Sequence, residues 1–251
     1  MNGTEPVFVF GIPLLPRERS RDWAADLRWL DRCVRSILNQ ADPRFRVVVA
    51  SNERVPLPGD PRVENVVVDR ARAGYPVDDS MRDKGTKIQA AGMRLRQLGG
   101  GALMRVDHDD LVSRRIVAHV HSHPEVDAFI FRRGMEYLPA ERRLRFAPFF
   151  DRSCGTCAVV RHRLADLAES LDVPEERLPL LRAPHHLIAA RNRAAGRRVA
   201  AMPFIAALHR LHGANHSVMT RDVGWKRRIL RALIPTVPVS ESAREEFGIE
   251  S

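Results

Sequence analysis

Residues 102–110, ALMRVDHDD, run from an apolar stretch straight into Asp107, Asp109 and Asp110. The apolar part reads as a buried strand and the acidic part as its carboxyl end. Three carboxylates within four positions repel one another, so such a cluster persists where a divalent cation or several hydrogen-bond donors neutralise it. A strand end is rigid, which suits a cation that must bridge diphosphate oxygens. The other reading is an Asp-rich turn opening a helix at Ser113, with Asp110 as its cap.

Working outward from this stretch, the preceding chain alternates strand and helix. Residues 6–12 (PVFVFGI) form a β-branched and aromatic run ended by Gly11 and Pro13, followed by a loop carrying Arg17, Arg19 and Arg21. In residues 26–40 (DLRWLDRCVRSILNQ), Leu27, Leu30, Val34, Ile37 and Leu38 recur at helical spacing, and Asp42-Pro43 stops the helix. Strands are predicted at 45–50 (FRVVVA), ending at Ser51-Asn52, and at 63–68 (VENVVV). A second helix over 84–98 carries Ile88, Ala91, Leu95 and Leu98 on one face and ends at Gly99-Gly100-Gly101. This alternation predicts an α/β fold, a single mixed and mostly parallel sheet flanked by helices. Ligands of such sheets bind at the carboxyl ends of the strands, where Arg17, Asn52 and the acidic cluster fall. Beyond Ser113 a helix (RRIVAHVHSH, 114–123) precedes short strands near 129–131, 144–149 and 157–160. Helical stretches near 164–171 and 186–195 follow, then one apolar strand over 199–208.

Composition narrows the function classes. The 251 residues are 44% hydrophobic and 29% charged, with 15 Gly and 17 Pro, which excludes fibrous, low-complexity and disordered-tail proteins. Lys and Arg outnumber Asp and Glu by 41 to 31, a formal charge of +10, and since only Lys84, Lys87 and Lys226 are lysine, arginine carries it. That balance favours phosphorylated or polyanionic partners or an anionic membrane. Aromatic residues are only 6% and the basic residues are scattered, so nucleic acid is not the expected partner. A non-catalytic basic nucleic-acid-binding protein stays an alternative. Three cysteines cannot build a disulfide framework, and Glu5-Pro6 stand where a signal peptide would be basic and then apolar, so a cytoplasmic location is expected. The longest apolar stretch, 199–208, falls well short of the roughly 20 residues that cross a bilayer.

The stretches 30–53 (LDRCVRSILNQADPRFRVVVASNE), 84–101 (KGTKIQAAGMRLRQLGGG) and 102–115 (ALMRVDHDDLVSRR) resemble, in order and spacing, the bacterial family-two-like glycosyltransferases of the GT-A fold. Within them, WLDRCVRSILNQADPRF and RVDHDD are similar to a rhamnosyltransferase-like subgroup. The resemblance covers residues 7–120 and implies a GT-A fold and transfer of a sugar from a nucleotide-diphosphate donor to an acceptor hydroxyl. It also implies a divalent cation, Mn2+ or Mg2+. The implied donor contacts are Ile12, Arg17, Asn52, Arg82, Lys84, Lys87 and Asp107, with Asp107 near the ribose or metal, Asp109 the direct metal ligand, and Asp110 holding the loop. For Lys84 and Lys87, the alternative is two lysines on a solvated helix N-terminus. The family's base-reading Asp after the second strand is replaced here by Ser51-Asn52, which leaves the base open. The expected organisation is 1–112 as the nucleotide-sugar half, 113–220 as the acceptor-binding and catalytic half of the same domain, and 221–251 as a basic amphipathic tail. A metal-dependent nucleotidyltransferase or phosphohydrolase would use the same acidic cluster and is a further alternative.

The second half matches less closely. Where the family has an acidic pair opening a helix, its base toward the acceptor, this chain has His185-His186, and a histidine can take that role because its pKa lies near working pH. Of His209, His212 and His216, the resemblance assigns His212 and then His216 to the metal; the alternatives are a separate zinc site or a structural role. Cys154 and Cys157 are spaced as Cys-x-x-Cys, yet they precede a strand and not a helix, so Gly155 and Thr156 are read as lining the acceptor pocket. His119, His121 and His123 are expected to share no helical face. The tail GWKRRILRALIP (224–235) is a short basic amphipathic helix that either docks on the core or touches an anionic membrane through 224–234, where a lipid-linked glycan could serve as acceptor. The acceptor class is a glycan, a lipid-linked glycan or a small molecule.

Overall fold

The computed structural model describes residues 7–69, 79–211 and 233–250. The chain folds as a mixed α/β protein. Strand β1 (Val7–Pro13) leads through a 3-10 turn (Arg17–Arg19) to helix α1 (Trp23–Leu38), which Asp22 caps by accepting from the Ala25 amide at 2.9 Å. Strands β2 (Phe45–Ser51) and β3 (Val63–Val67) precede helix α2 (Ser80–Gln97), capped by Asp79 at the Arg82 amide, 2.9 Å. Strand β4 is Gly101–Arg105. Gly101 at its start has φ +139°, and a Cβ there would stand 2.1 Å from the Val7 carbonyl oxygen, so only glycine lets β4 come up beside β1.

β1 is parallel to both β2 and β4, with Gly11 paired to Val48 on one side and Arg105 on the other. Its alternate residues face opposite layers. Phe8, Phe10 and Ile12 pack with Leu30, Val34 and Ile37 of α1, while Val9 packs with Ile88, Ala91 and Leu95 of α2. Burial on both faces is why these strands read as unbroken apolar runs. Because β2 and β4 flank β1, the order reverses at β1, the position at which such sheets open a ligand crevice, and Leu14, Asn52 and Asp107 follow the strand ends there.

Instead of one sheet, the described residues form two. The first has the order β10-β6-β9-β4-β1-β2-β3, completed by β6 (Ala128–Ile130), β9 (Ala158–His162) and β10 (Val199–Ala201). The second has the order β12-β8-β7-β11-β5, from β5 (Leu111–Val112), β7 (Arg133–Leu138), β8 (Arg143–Pro148), β11 (Ala207–Arg210) and β12 (Thr236–Pro238). The apolar run 199–208 is therefore not one strand. It breaks at Met202-Pro203, where Pro lacks the amide a ladder needs, and its two ends join different sheets.

Other expectations change as well. Residues 164–171 hold only a 3-10 turn, Leu164–Asp166, because the Asp166 carboxylate turns back to the Arg163 amide at 2.7 Å and pairs with Arg197 at 2.5 Å. Helix α3 is short (Ile116–His121), yet His119 and His123 do meet, their rings 4.3 Å apart, as i and i+4 residues can. Helix α4 is Ile188–Ala194. Helix α5 (Glu241–Phe247), not foreseen, docks beside α1 and β5. Asn39 donates to the Glu245 carbonyl at 2.9 Å, and Glu246 takes the Ser113 hydroxyl and Arg115. Most of the amphipathic tail, 221–232, lies outside the described residues. No helix among the described residues is long and apolar enough to cross a membrane.

Candidate functional site

The acidic cluster sits at the carboxyl end of β4, where the ladder continues one step past Arg105 through a Val106 amide to Gly11 carbonyl bond of 3.0 Å. From there Asp107 and Asp110 take different partners, and Asp109 between them is buried. Asp107 faces Lys84 of α2, Oδ1 to Nζ 2.5 Å, and its own amide donates to Thr156 Oγ1 at 2.9 Å. Burial pushes the Asp107 carboxyl up, but the Lys84 charge and hydrogen bond outweigh it and hold the group below the ordinary carboxylate value. Burial likewise works against the Lys84 cation, and Asp107 more than offsets it, so the ammonium is held above its usual range.

His108 turns the other way, to Asp26 of α1 at 3.4 Å, and Asp26 also takes the Ser20 hydroxyl at 2.5 Å. This ties the acidic loop to α1 and to the arginine-bearing turn. Despite burial, the Asp26 hydrogen bond and neighbouring carboxylates raise the His108 pKa.

Asp110 is fully buried and satisfied on both oxygens. Oδ1 accepts from His209 Nδ1 at 3.0 Å and from the Arg210 amide at 3.2 Å, and Oδ2 accepts from the Cys154 thiol at 3.2 Å. The second sheet makes this meeting. Antiparallel β5 and β11 pair Leu111 with Leu208, which brings Asp110 and His209 to the next rung. Burial opposes the His209 cation, but Asp110, Asp109 and Asp107 raise its pKa to about 9. Arg210 beside it is lowered by burial to about 10 and lies 3.7 Å over the Trp29 ring.

The Cys-x-x-Cys segment wraps this cluster. Cys154 and Cys157 are buried free thiols. Burial pushes Cys154 well up and Cys157 to about 12, so neither offers the thiolate that redox or metal chemistry needs. Between them, Gly155 closes over the ion pair: a Cβ there would lie 2.8 Å from Asp107 Oδ2 and 3.1 Å from Lys84 Nζ.

The other expected donor contacts scatter. Lys87 is not on a solvated helix face. It is fully buried and donates to the Leu14 carbonyl at 2.6 Å, Asn52 Oδ1 at 2.6 Å and Asp83 Oδ2 at 2.8 Å. It thus fixes Asn52, and with it the end of β2. Ile12 lies in the core, fully buried. Arg17 is exposed in its 3-10 turn, 4.0 Å from Glu53, and Arg82 is exposed in the first turn of α2.

His185 and His186 open a 3-10 turn after Pro184, rings 5.4 Å apart, with His186 exposed. Arg105 of β4 pins this segment by donating to the Ala183 carbonyl at 2.9 Å. Burial, His186, Lys84 and Arg105 hold His185 below the ordinary histidine value, against a backbone hydrogen bond to Arg152. The fold thus brings His185 toward Lys84 and the acidic cluster. His212 and His216 lie outside the described residues. The residue whose place only the structure discloses is His209; its one sequence signal is the two-residue apolar strand Leu111-Val112 beside the acidic cluster, which needs a partner.

One buried imidazole nitrogen beside the acidic cluster suits a divalent cation. His209 Nε2 is buried and has no hydrogen-bond partner among the described residues, while Nδ1 is held by a carboxylate, the arrangement by which proteins orient a metal-binding imidazole. Ligand atoms of Asp110, Cys154 and His209 lie within 4.8 Å of one another, but Asp110 is already bonded to the other two, which leaves His209 Nε2 as the open donor of the three.

No curated protein matches the sequence. Among solved structures the chain is similar to S. aureus TarS 1–349 (12% identity, TM-score 0.42, covering 81% of this chain and 60% of that one). It is also similar to TarS 1–349 in complex with UDP-GlcNAc (12% identity, TM-score 0.47, 84% and 60%) and to longer TarS (14%, TM-score 0.44, 82% and 36%). The chain therefore spans about three fifths of TarS 1–349. Residues 27–220 match the family described as "Putative rhamnosyl transferase", and the chain belongs to that family of glycosyltransferases.

Proposed function

We propose that this protein is a GT-A-type transferase that moves a sugar from a nucleotide-diphosphate donor to an acceptor hydroxyl, with a divalent cation held by Asp107, Asp109 and His209. The observation that carries the reading is that the acidic segment following β4 holds both the Lys84–Asp107 pair and, through Asp110, the buried His209 whose Nε2 has no partner among the described residues. A bound Mn2+ or Mg2+ would offset charge on the leaving nucleoside diphosphate. His209 takes the role that the resemblance assigned to His212 and His216, and Asp110 orients it. Lys84 supplies a compact point charge for phosphate. Lys87 and Asn52 act as supports that set the crevice wall. His186, exposed beside His185, is the base: as the acceptor oxygen bonds to the anomeric carbon and the bond to diphosphate breaks, its imidazole takes the hydroxyl proton. In this reading residues 1–112 hold the donor and 113–220 the acceptor, and residues 224–234 are the contact for a membrane bearing a lipid-linked acceptor.

The test is thermal stabilisation by a panel of nucleoside diphosphates, with and without Mn2+, in wild type and Asp109→Ala. A ligand at 100 times its Kd adds about 2.7 kcal/mol. A metal-dependent shift with one nucleotide, abolished in Asp109→Ala, supports the reading and names the base. A shift indifferent to Asp109 overturns the metal site, and release of free phosphate from the donor would make the protein a phosphohydrolase instead.

A further inference from the structure

The two lysines of α2 lie one turn apart and are held in opposite ways. Lys87 is fully buried with three acceptors around its ammonium, and nothing can reach it. Lys84 has one partner, Asp107 Oδ1, and its side chain is 39% exposed. Two neighbouring cations are tied down. Arg105 is bound to the Ala183 carbonyl, and Arg182 is bound to Gln89 at 3.2 Å and to Glu175 at 2.8 Å. Lys84, by contrast, has a long flexible stem held at its tip by the Asp107 pair.

Its present position conflicts with a metal on Asp107. A divalent cation sits about 2.0–2.6 Å from a carboxylate oxygen, whereas Lys84 Nζ stands 2.5 Å from Oδ1, so the two positive charges would compete for one place. The other oxygen lies beside Gly155, where an added Cβ would stand 2.8 Å from Oδ2. A side chain at 155 would crowd both partners, its Cβ 3.1 Å from Lys84 Nζ.

We propose that Lys84 is the resident counter-ion of Asp107, that an incoming donor diphosphate draws it away, and that the divalent-cation site becomes complete only after that exchange. No covalent step is involved: one ion pair is traded for two, ammonium to diphosphate and carboxylate to cation. The metal therefore binds tightly only with a nucleotide, which keeps the site from being filled by the cation alone. This rests on the donor reading above.

The test is Mn2+ binding to the whole protein, followed by loss of the free Mn2+ electron paramagnetic resonance signal, without nucleotide and with saturating UDP, GDP or dTDP. Wild type should bind Mn2+ weakly alone and at least tenfold more tightly with the accepted nucleotide. Lys84→Met should bind Mn2+ alone at least tenfold more tightly than wild type, with a smaller gain from nucleotide. Lys84→Gln serves as the second variant, and both are checked for wild-type melting. By linkage, the factor by which nucleotide tightens Mn2+ must equal that by which Mn2+ tightens nucleotide, an internal control. If Lys84→Met and Lys84→Gln leave Mn2+ affinity unchanged while nucleotide still binds, the exchange is overturned and the donor reading survives. If no nucleotide binds with or without metal, both fall.

Discussion

Asp110 and His209 lie 99 positions apart and form a buried pair, Oδ1 to Nδ1 3.0 Å, because β5, which follows Asp110, and β11, which contains His209, are antiparallel neighbours. Removing either leaves a buried charge without its partner, which costs on the order of 3–5 kcal/mol. Asp110→Ala and His209→Ala should each lower Tm substantially. The double variant should be less destabilised than the sum by about 1 kcal/mol or more, since each single change already breaks the shared pair. Additive losses in urea unfolding would show that the pair contributes nothing of its own.

Two histidines set opposite limbs of the stability profile. Folding raises His209 from near 6.5 to about 9, so its contribution is full below about pH 6.5 and is lost as pH rises through about 9. Burial lowers His162 to about 4, so folding expels a proton there, and stability is lost as pH falls from about 6.5 through about 4. Each contributes at most about 3 kcal/mol. Melting in EDTA across pH 4–10 should peak near neutrality, with His209→Gln flattening the alkaline limb and His162→Gln the acid one.

Lys87 contributes through burial of a charge and not through contact with ligand. Lys87→Met keeps the stem and removes the ammonium that Asp83, Asn52 and Leu14 share, which should cost about 3 kcal/mol in chemical denaturation. Lys84→Met, at a half-open pair, should cost no more than about 1 kcal/mol. Equal losses would mean that the two lysines are held alike.

Gly155→Ala puts a methyl group 2.8 Å from Asp107 Oδ2 and 3.1 Å from Lys84 Nζ, in the space a diphosphate must enter to reach that ammonium. Nucleoside diphosphate affinity should fall about tenfold, some 1.4 kcal/mol, with Tm within a few degrees of wild type. Calorimetric titration reads the first and a melt the second.

Much of the first half was legible from local patterning. The strands at 7–13 and 45–51, the helix at 23–38 and the glycine stop before β4 depend on runs, periodicity and caps carried by neighbours in sequence. The same holds for the acidic strand end. Less was legible past Ser113, where β7 and β8 place Glu136 opposite Arg145 and the side of each strand is chosen by its partner.

By itself, then, the sequence determined the α/β alternation, the positive charge carried by arginine, and a carboxylate cluster at the end of β4, because apolar periodicity and charge are properties of adjacent residues. Only the tertiary structure decided that Lys84 meets Asp107 while Lys87 is sealed inside, and that the two cysteines are protonated supports. The same is true of His209 as the imidazole facing the cluster. Each of those depends on register and burial between segments far apart in the chain, and a one-residue slip of β11 against β5 would turn His209 to the other face.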